Sequence, residues 1–398
     1  MLLAKDKDGT TLSLLSLSRE ELQMHRHNTY YCPCCGAKVH VKAGRVKIPH
    51  FAHISNQSCE SASERESIEH LEGKRRLYQW FRHQGYPVSL ETYFPAFKQR
   101  ADLLVVCGSI QYAIEFQCSV LSLDDIMKRT DAYRQHGIIP VWIFNEPLLK
   151  RNRHTFAVSA FQWYVSSVSS LIPKLLFYSP SQHQFTVLQQ LTPFSARKVF
   201  AKRYCIGADR LSFRNLIGRP DFSSFSLDGW RMAKHKWRLH APQYAKSSPF
   251  LYRSMYESRL YPALFPQEIG IPVPYGHLFE TSAIVWQFWL YHYVMRGKVI
   301  GDDLPMQAWR AGLAHCEKAK KIILRTLPSG SVIDPFLPVE HYVHMLERLG
   351  VLKRTREGTY RLQRLIEENH PGDPRQEAVF YRRVSFVYDE LMKGALRS

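Results

Sequence analysis

No stretch of this 398-residue chain stays apolar long enough to cross a bilayer. The nearest approach, residues 282–295, is about one or two helix turns short of a span and carries Gln287 and His292, so it reads as a buried helix. No secretion leader is expected either, because Met1-Leu2-Leu3-Ala4-Lys5-Asp6 turns polar at once, and the expected location is the cytoplasm. Internal repeats and long low-complexity tracts are absent. Acidic residues are scarce, 35 Asp+Glu against 54 Lys+Arg, for a formal net charge of +19. Residues 1–150 hold 19 basic and 16 acidic side chains, whereas residues 151–398 hold 35 and 19, so the excess sits in the second part. A field of that sign gathers polyanions, of which nucleic acid is the commonest in a cell; an anionic membrane surface is the alternative.

Cysteine is also sparse for so long a chain, and four of the eight fall between Cys32 and Cys59. A secreted disulfide scaffold would spread them through a shorter chain, so the cluster points to metal or to reduced thiols. Cys32, Cys35, His50 and His53 follow the pattern C-x2-C-x14-H-x2-H, which suits a tetrahedral, structural Zn²⁺. Gly36 permits a tight turn after the second thiolate. The gap between the two histidines is shorter than usual, so Cys59 is an alternative to one of them, and Cys34 competes within the Cys-Pro-Cys-Cys run. A redox CxxC pair would not need the histidines.

Elsewhere the pattern is regular. Alternation around Asp8-Gly9 suggests a hairpin over residues 1–20, and residues 1–60 are expected to form one small segment. Helical periodicity over 63–84 precedes strands at 88–94, 101–107 and 110–118, a helix at 121–136 and an apolar strand at 138–144. This αβββαβ order predicts an α/β sandwich over 61–150, with Asn145-Glu146-Pro147 near its end. Residues 151–398 read as a basic, mostly helical region. Near 338–370, a helix and a basic hairpin turning at Glu357-Gly358 suggest a winged-helix-like element.

The chemistry is expected where the strands carry acids. Glu115 and Gln117 lie two apart, hence on one face, and a hairpin turning at Gly108-Ser109 brings Asp102 across from Glu115. Acids are disfavoured in otherwise apolar strands, and two converging carboxylates repel unless a cation fills the gap. Mg²⁺ (or Mn²⁺) suits such a gap, because it accepts a few carboxylate oxygens and keeps waters for reaction. Glu69 could complete the metal shell or stand on a solvated helix face. His70 and Lys74, four apart, could meet substrate phosphate, although Lys74-Arg75-Arg76 is equally a surface run. Arg129 and Tyr133 are also four apart and face the sheet or the cleft.

Asp102-x12-Glu115-x-Gln117 resembles the PD-(D/E)xK nuclease signature, with Ala101 in place of its Pro and Gln117 in place of its Lys. Together with Glu69-His70, Lys74, Arg100, Ser119, Arg129, Tyr133 and the Cys/His segment, it resembles the bacterial competence protein CoiA family. That resemblance covers about residues 28–145. It implies a restriction-endonuclease-like core, with Asp102, Glu115, Gln117 and Glu69 as catalytic residues and the others as substrate contacts. It also implies a role in processing or recombination of DNA taken up in transformation, alongside recombination proteins. Gln117 can orient water but supplies no charge, which leaves a non-catalytic single-strand-binding accessory as the competing expectation.

Residues 194–238 interleave cations (among them Arg197, Lys202, Lys234 and Arg238) with Phe200, Tyr204, Phe213, Phe222, Trp230 and Trp237. Cations can track phosphates while rings stack on unpaired bases; alternatively the rings form a core beneath a charged exterior.

Overall fold

The computed structural model describes the chain except residues 45–47, 55–58, 60–66, 169–171, 219–225, 245–247, 329–332, 367–373 and 398. The N-terminal module is a five-stranded sheet of order β2-β1-β3-β4-β5. Its strands are β1 (Leu3–Lys5), β2 (Thr11–Ser13), β3 (Tyr30–Tyr31), β4 (Lys38–Lys42) and β5 (His50–His53). Helix α1 (Arg19–His25) starts at a Ser18/Glu21 capping box, in which each side chain satisfies the other residue's backbone N–H. The expected 1–20 hairpin is present, and it supplies what residues 30–60 lack. Ala4, Leu14 and Leu22 join Tyr30, Val39, Val41 and Phe51 in one small core.

The second unit is a nine-stranded sheet of order β12-β13-β16-β15-β14-β11-β10-β9-β6. Helix α2 (Ile68–His83) leads into β6 (Val88–Leu90), and a short ribbon, β7 (Tyr93–Phe94) with β8 (Gln99–Arg100), follows. Then come β9 (Leu103–Cys107) and β10 (Ile110–Gln117), joined at Gly108, whose φ of +62° suits a tight hairpin turn. Helix α3 (Leu123–Gln135) crosses to β11 (Ile139–Asn145), which runs parallel to β10. The αβββαβ order is therefore present.

The sheet does not stop there. β12 (Lys150–Asn152), β13 (Thr155–Ala157), β14 (Leu175–Ser179), β15 (Gln184–Pro193) and β16 (Lys198–Gly207) extend it, with helix α4 (Ala160–Ser166) inserted. The boundary expected at residue 150 thus falls inside a sheet. The turn signal at Asn145-Glu146-Pro147 is real, forming a single 3-10 turn, but a turn between strands looks the same in sequence as a turn between domains.

Alternation along the central strands fills both faces. Val141 and Ile143 pack with Leu71, Leu77 and Phe81 of α2, while Trp142 and Phe144 pack with Ile126 of α3 and Phe161 of α4. Helix α2 lies close on β10 because of Gly73: a Cβ there would sit 2.0 Å from Phe116 Cε1. Gly73→Ala is expected to lower stability by about 1–3 kcal/mol through overpacking, read as a lower urea midpoint at unchanged slope.

From Phe213 onward the described chain is mainly helical. α5 (Phe213–Ile217), α6 (Asp228–Tyr244), α7 (Pro249–Glu257), α8 (Ala283–Leu290) and α9 (Met306–Lys318) are followed by α10 (Leu337–Arg348) and α11 (Pro374–Arg397). β17 (Asp303–Pro305), β18 (Leu352–Arg356) and β19 (Thr359–Leu362) pair in the order β17-β19-β18, so α10 does run into a hairpin. α8 and the turn after it are the expected buried segment. Gln287 is tolerated there because its amide bonds the backbone of Gly270 and Ile271. Among the described residues no helix is long and apolar enough to cross a membrane.

Candidate functional site

The register Leu90↔Leu103 on β6–β9 and Leu103↔Ile114 on β9–β10 sets the next rung as Glu91, Asp102 and Glu115. Three acids therefore stand side by side across three strand ends. All three are buried, and each is held by a cation from a flanking helix. His70 Nε2 donates to Asp102 Oδ2 at 3.0 Å, and the Phe116 N–H donates to the same oxygen at 2.9 Å. Lys74 Nζ lies 2.5 Å from Glu91 Oε1 and 3.8 Å from Asp102 Oδ1. Arg129 pairs with Glu115 Oε2, and the Tyr133 hydroxyl donates to Oε1 at 2.6 Å. The caps on the helices make this reach possible: Ser67 and Ser122 accept first-turn N–H groups of α2 and α3, fixing where each helix starts.

The two central acids differ electrically. Burial pushes Asp102 up, but the charges of His70 and Lys74 outweigh it and hold its carboxyl well below the usual range. Burial also pushes Glu115 up, and there it wins: Arg129 pulls down, while the neighbouring Asp102 charge adds to the rise. Glu115 thus feels the Asp102 charge, as expected of acids on neighbouring strands. Gln117 is buried on the Glu115 face, and its amide donates to the Ser119 carbonyl and hydroxyl, both at 3.0 Å. The carboxylate oxygens of Asp102 and Glu115 are of the hard donor type that a divalent ion such as Mg²⁺ accepts.

Three expectations change here. Glu69 is exposed in the first turn of α2, and among the described residues it does not form a metal-ligand group with Asp102 and Glu115. Lys74 is neither a surface residue nor a phosphate contact: it is fully buried as the partner of Glu91, whereas Arg75 and Arg76 pair with Glu72 outside. Arg100, expected to touch substrate, is buried at the end of the β7–β8 ribbon. Glu91 escaped sequence reasoning. Its signal is the one that marked Asp102, an acid in an apolar run, but its place on the rung follows from strand pairing.

The second candidate site is Cys32, Cys35, His53 and Cys59, whose ligand atoms all lie within 4.8 Å of one another. Cys32 and Cys59 sulfurs are 4.0 Å apart, and Cys35 Sγ is 3.4 Å from His53 Nε2. A tetrahedron with metal–sulfur bonds of about 2.3 Å has edges of about 3.8 Å, so the group fits a metal such as zinc. Bonds from Cys34 pull the Cys32 thiol down to about 4, and burial pushes Cys35 up to about 11. His50, expected as a ligand, is not in the group; its Nδ1 meets the Ile48 carbonyl at 3.0 Å. His50 and His53 are three apart on a strand, so they point to opposite faces, and Cys59 takes the fourth place.

The basic, aromatic segment 194–238 is also different. Phe200, Phe213 and Trp230 are core residues, and Lys234 is buried, donating to the Pro266 and Gln267 carbonyls. Arg238 is buried against Glu377 at 2.8 Å. Phe222 lies outside the described residues. These rings fill the interior because aromatic area gains more from burial than from a place among surface charges. Large exposed rings occur further along, at Phe250, Tyr256, Tyr261 and Tyr293, and Lys321 lies over Phe250, Trp289 and Tyr293.

A sheet with helices on both faces, acids gathered at paired strand ends and a Cys/His module in front define a nuclease-like protein class. Residues 14–62, 66–220 and 225–373 match the family models for the N-terminal, nuclease-like and C-terminal domains of competence protein CoiA. The chain is also 32% identical over 351 residues to "Competence protein CoiA" of Bacillus subtilis (strain 168), covering 86% of this chain and 92% of that one. It belongs to the competence protein CoiA family.

Proposed function

We propose that this protein is a metal-dependent nuclease acting on DNA taken up during competence, with Asp102, Glu115 and Gln117 at its centre. The observation that carries the reading is the strand register that brings Asp102 opposite Glu115, both buried, with the Asp102 charge raising the Glu115 pKa. Asp102 and Glu115 would hold Mg²⁺ or Mn²⁺, which supplies phosphate neutralisation and an activated water. The chain's own groups do the rest. Arg129, a quarter exposed beside Glu115, presents positive charge to a phosphodiester. Tyr133 and His70 keep the two carboxylates aimed, and Gln117, braced by Ser119, offers a neutral polar group where a lysine would stand. Cys32, Cys35, His53 and Cys59 would hold a structural Zn²⁺, with no ligand position left for chemistry.

One observation favours a second reading. Each acid already has a cationic partner from this chain, Lys74 for Glu91 and Asp102 and Arg129 for Glu115, an arrangement suited to a module that binds DNA without cutting it. Incubating purified protein with labelled single- and double-stranded DNA in Mg²⁺, Mn²⁺ or chelator separates the two. Cleavage only with a divalent ion supports the nuclease. Salt-sensitive binding with no cleavage in any ion supports the binding module. If bases stack on the exposed rings of the C-terminal region, Phe250→Ala with Tyr293→Ala weakens single-strand binding by about 1–3 kcal/mol per stacked base, read by fluorescence anisotropy.

A further inference from the structure

Glu91 is not one of the proposed metal ligands, yet it is buried and held from several sides. It is 4% exposed and has φ +45°, a left-handed conformation that a non-glycine residue keeps only where its surroundings impose it. Its backbone N–H donates to the Asp102 carbonyl at 2.9 Å. Its carboxylate accepts the Leu2 N–H at 2.9 Å and the Leu3 N–H at 3.0 Å, and it receives Lys74 on the other side. Met1, just ahead of β1, is in turn fastened beside the Cys/His cluster. The Phe51 N–H donates to the Met1 carbonyl at 2.8 Å, two residues before the ligand His53, and the Cys32 sulfur lies 3.7 Å from the Met1 sulfur.

A contiguous path therefore joins Cys32 and His53 to residues 1–3, then to Glu91, Lys74 and Asp102. We propose that Glu91 is a positioning residue through which the metal content of the Cys/His cluster sets the arrangement of the nuclease-like acids; this rests on reading Asp102 and Glu115 as those acids. With the cluster closed on a metal, the amides of Leu2 and Leu3 hold the Glu91 carboxylate against Lys74, and Lys74 stays beside Asp102. With the cluster open, β1 loses its backing. The buried Glu91–Lys74 pair then has no water at hand to replace two amide bonds, so the rung shifts.

The test is a cycle on the full-length chain: Cys35→Ser, which breaks the cluster at its exposed ligand, Glu91→Gln, which keeps shape and removes charge, and the double variant. Bound zinc, amide hydrogen exchange at Glu91 and Ala101, and kcat and KM on single-stranded DNA with Mg²⁺ are measured for each. Glu91→Gln is expected to keep its zinc and lose about tenfold in kcat with KM little changed, the size of loss typical for groups that orient a site. Cys35→Ser loses zinc, a similar factor in kcat, and protection at both amides. The double variant is no worse than either single change, because both act along one path. Multiplying losses, or unchanged exchange at Glu91 and Ala101 in Cys35→Ser, would overturn the proposal. Should Cys35→Ser fail to fold, a zinc-selective chelator applied to wild type and to Glu91→Gln gives the same comparison. If the wild type cuts no DNA with any divalent ion, the nuclease reading falls, and the exchange data alone decide the linkage.

Discussion

Glu115→Gln is expected to abolish divalent-ion-dependent cleavage while leaving the chain folded. Glu115 is 2% exposed, and both its oxygens are engaged, one by Tyr133 and one by Arg129. Gln occupies the same volume and still accepts from Tyr133, so the core of the sheet is kept. The variant loses the negative charge that, with Asp102, gives a divalent ion a reason to bind. The expected fall in kcat is at least about a hundredfold, as for removal of a group that stabilises charge in the transition state. Arg129 loses its counter-charge, with a stability cost of about 1–3 kcal/mol. Circular dichroism and zinc content should match wild type. Cleavage at the wild-type rate would remove Glu115 from the chemistry.

The second large effect concerns the cluster. Zinc-finger-sized sites bind with apparent free energies of about 10–16 kcal/mol, most of it expressed as folding. The N-terminal module has a small core to oppose such a loss, built around Leu14, Tyr30, Val41 and Phe51. Cys59→Ala and His53→Ala are each expected to lose the metal and open residues 1–60 to limited proteolysis. His50→Ala keeps both metal and resistance, because His50 is turned toward Ile48. Metal analysis of the three variants checks this; loss of metal in His50→Ala would return His50 to the ligand set.

Part of this arrangement follows from local sequence rules. Period and turn chemistry were enough for α2, the β9–β10 hairpin and α3, and with them the meeting of Asp102 and Glu115 across Gly108. Each of those inferences spans few residues and relies on one local rule. The ligand set was half legible. Cys32 and Cys35 lie on one tight turn, where spacing dictates convergence, but the choice between His50, His53 and Cys59 depended on recognising residues 50–53 as a strand.

Local rules, then, settle the elements, the hairpin that pairs two acids, the thiolate turn and the basic excess of the second part. Long-range partnership belongs to the folded chain. It continues the sheet past residue 150, places Glu91 between residues 2–3 and Lys74, turns Phe200, Phe213 and Trp230 inward and brings in Cys59. The reason is physical: periodicity says that a face is apolar or that an acid is out of place, but which distant segment covers it depends on competing burial across the whole molecule.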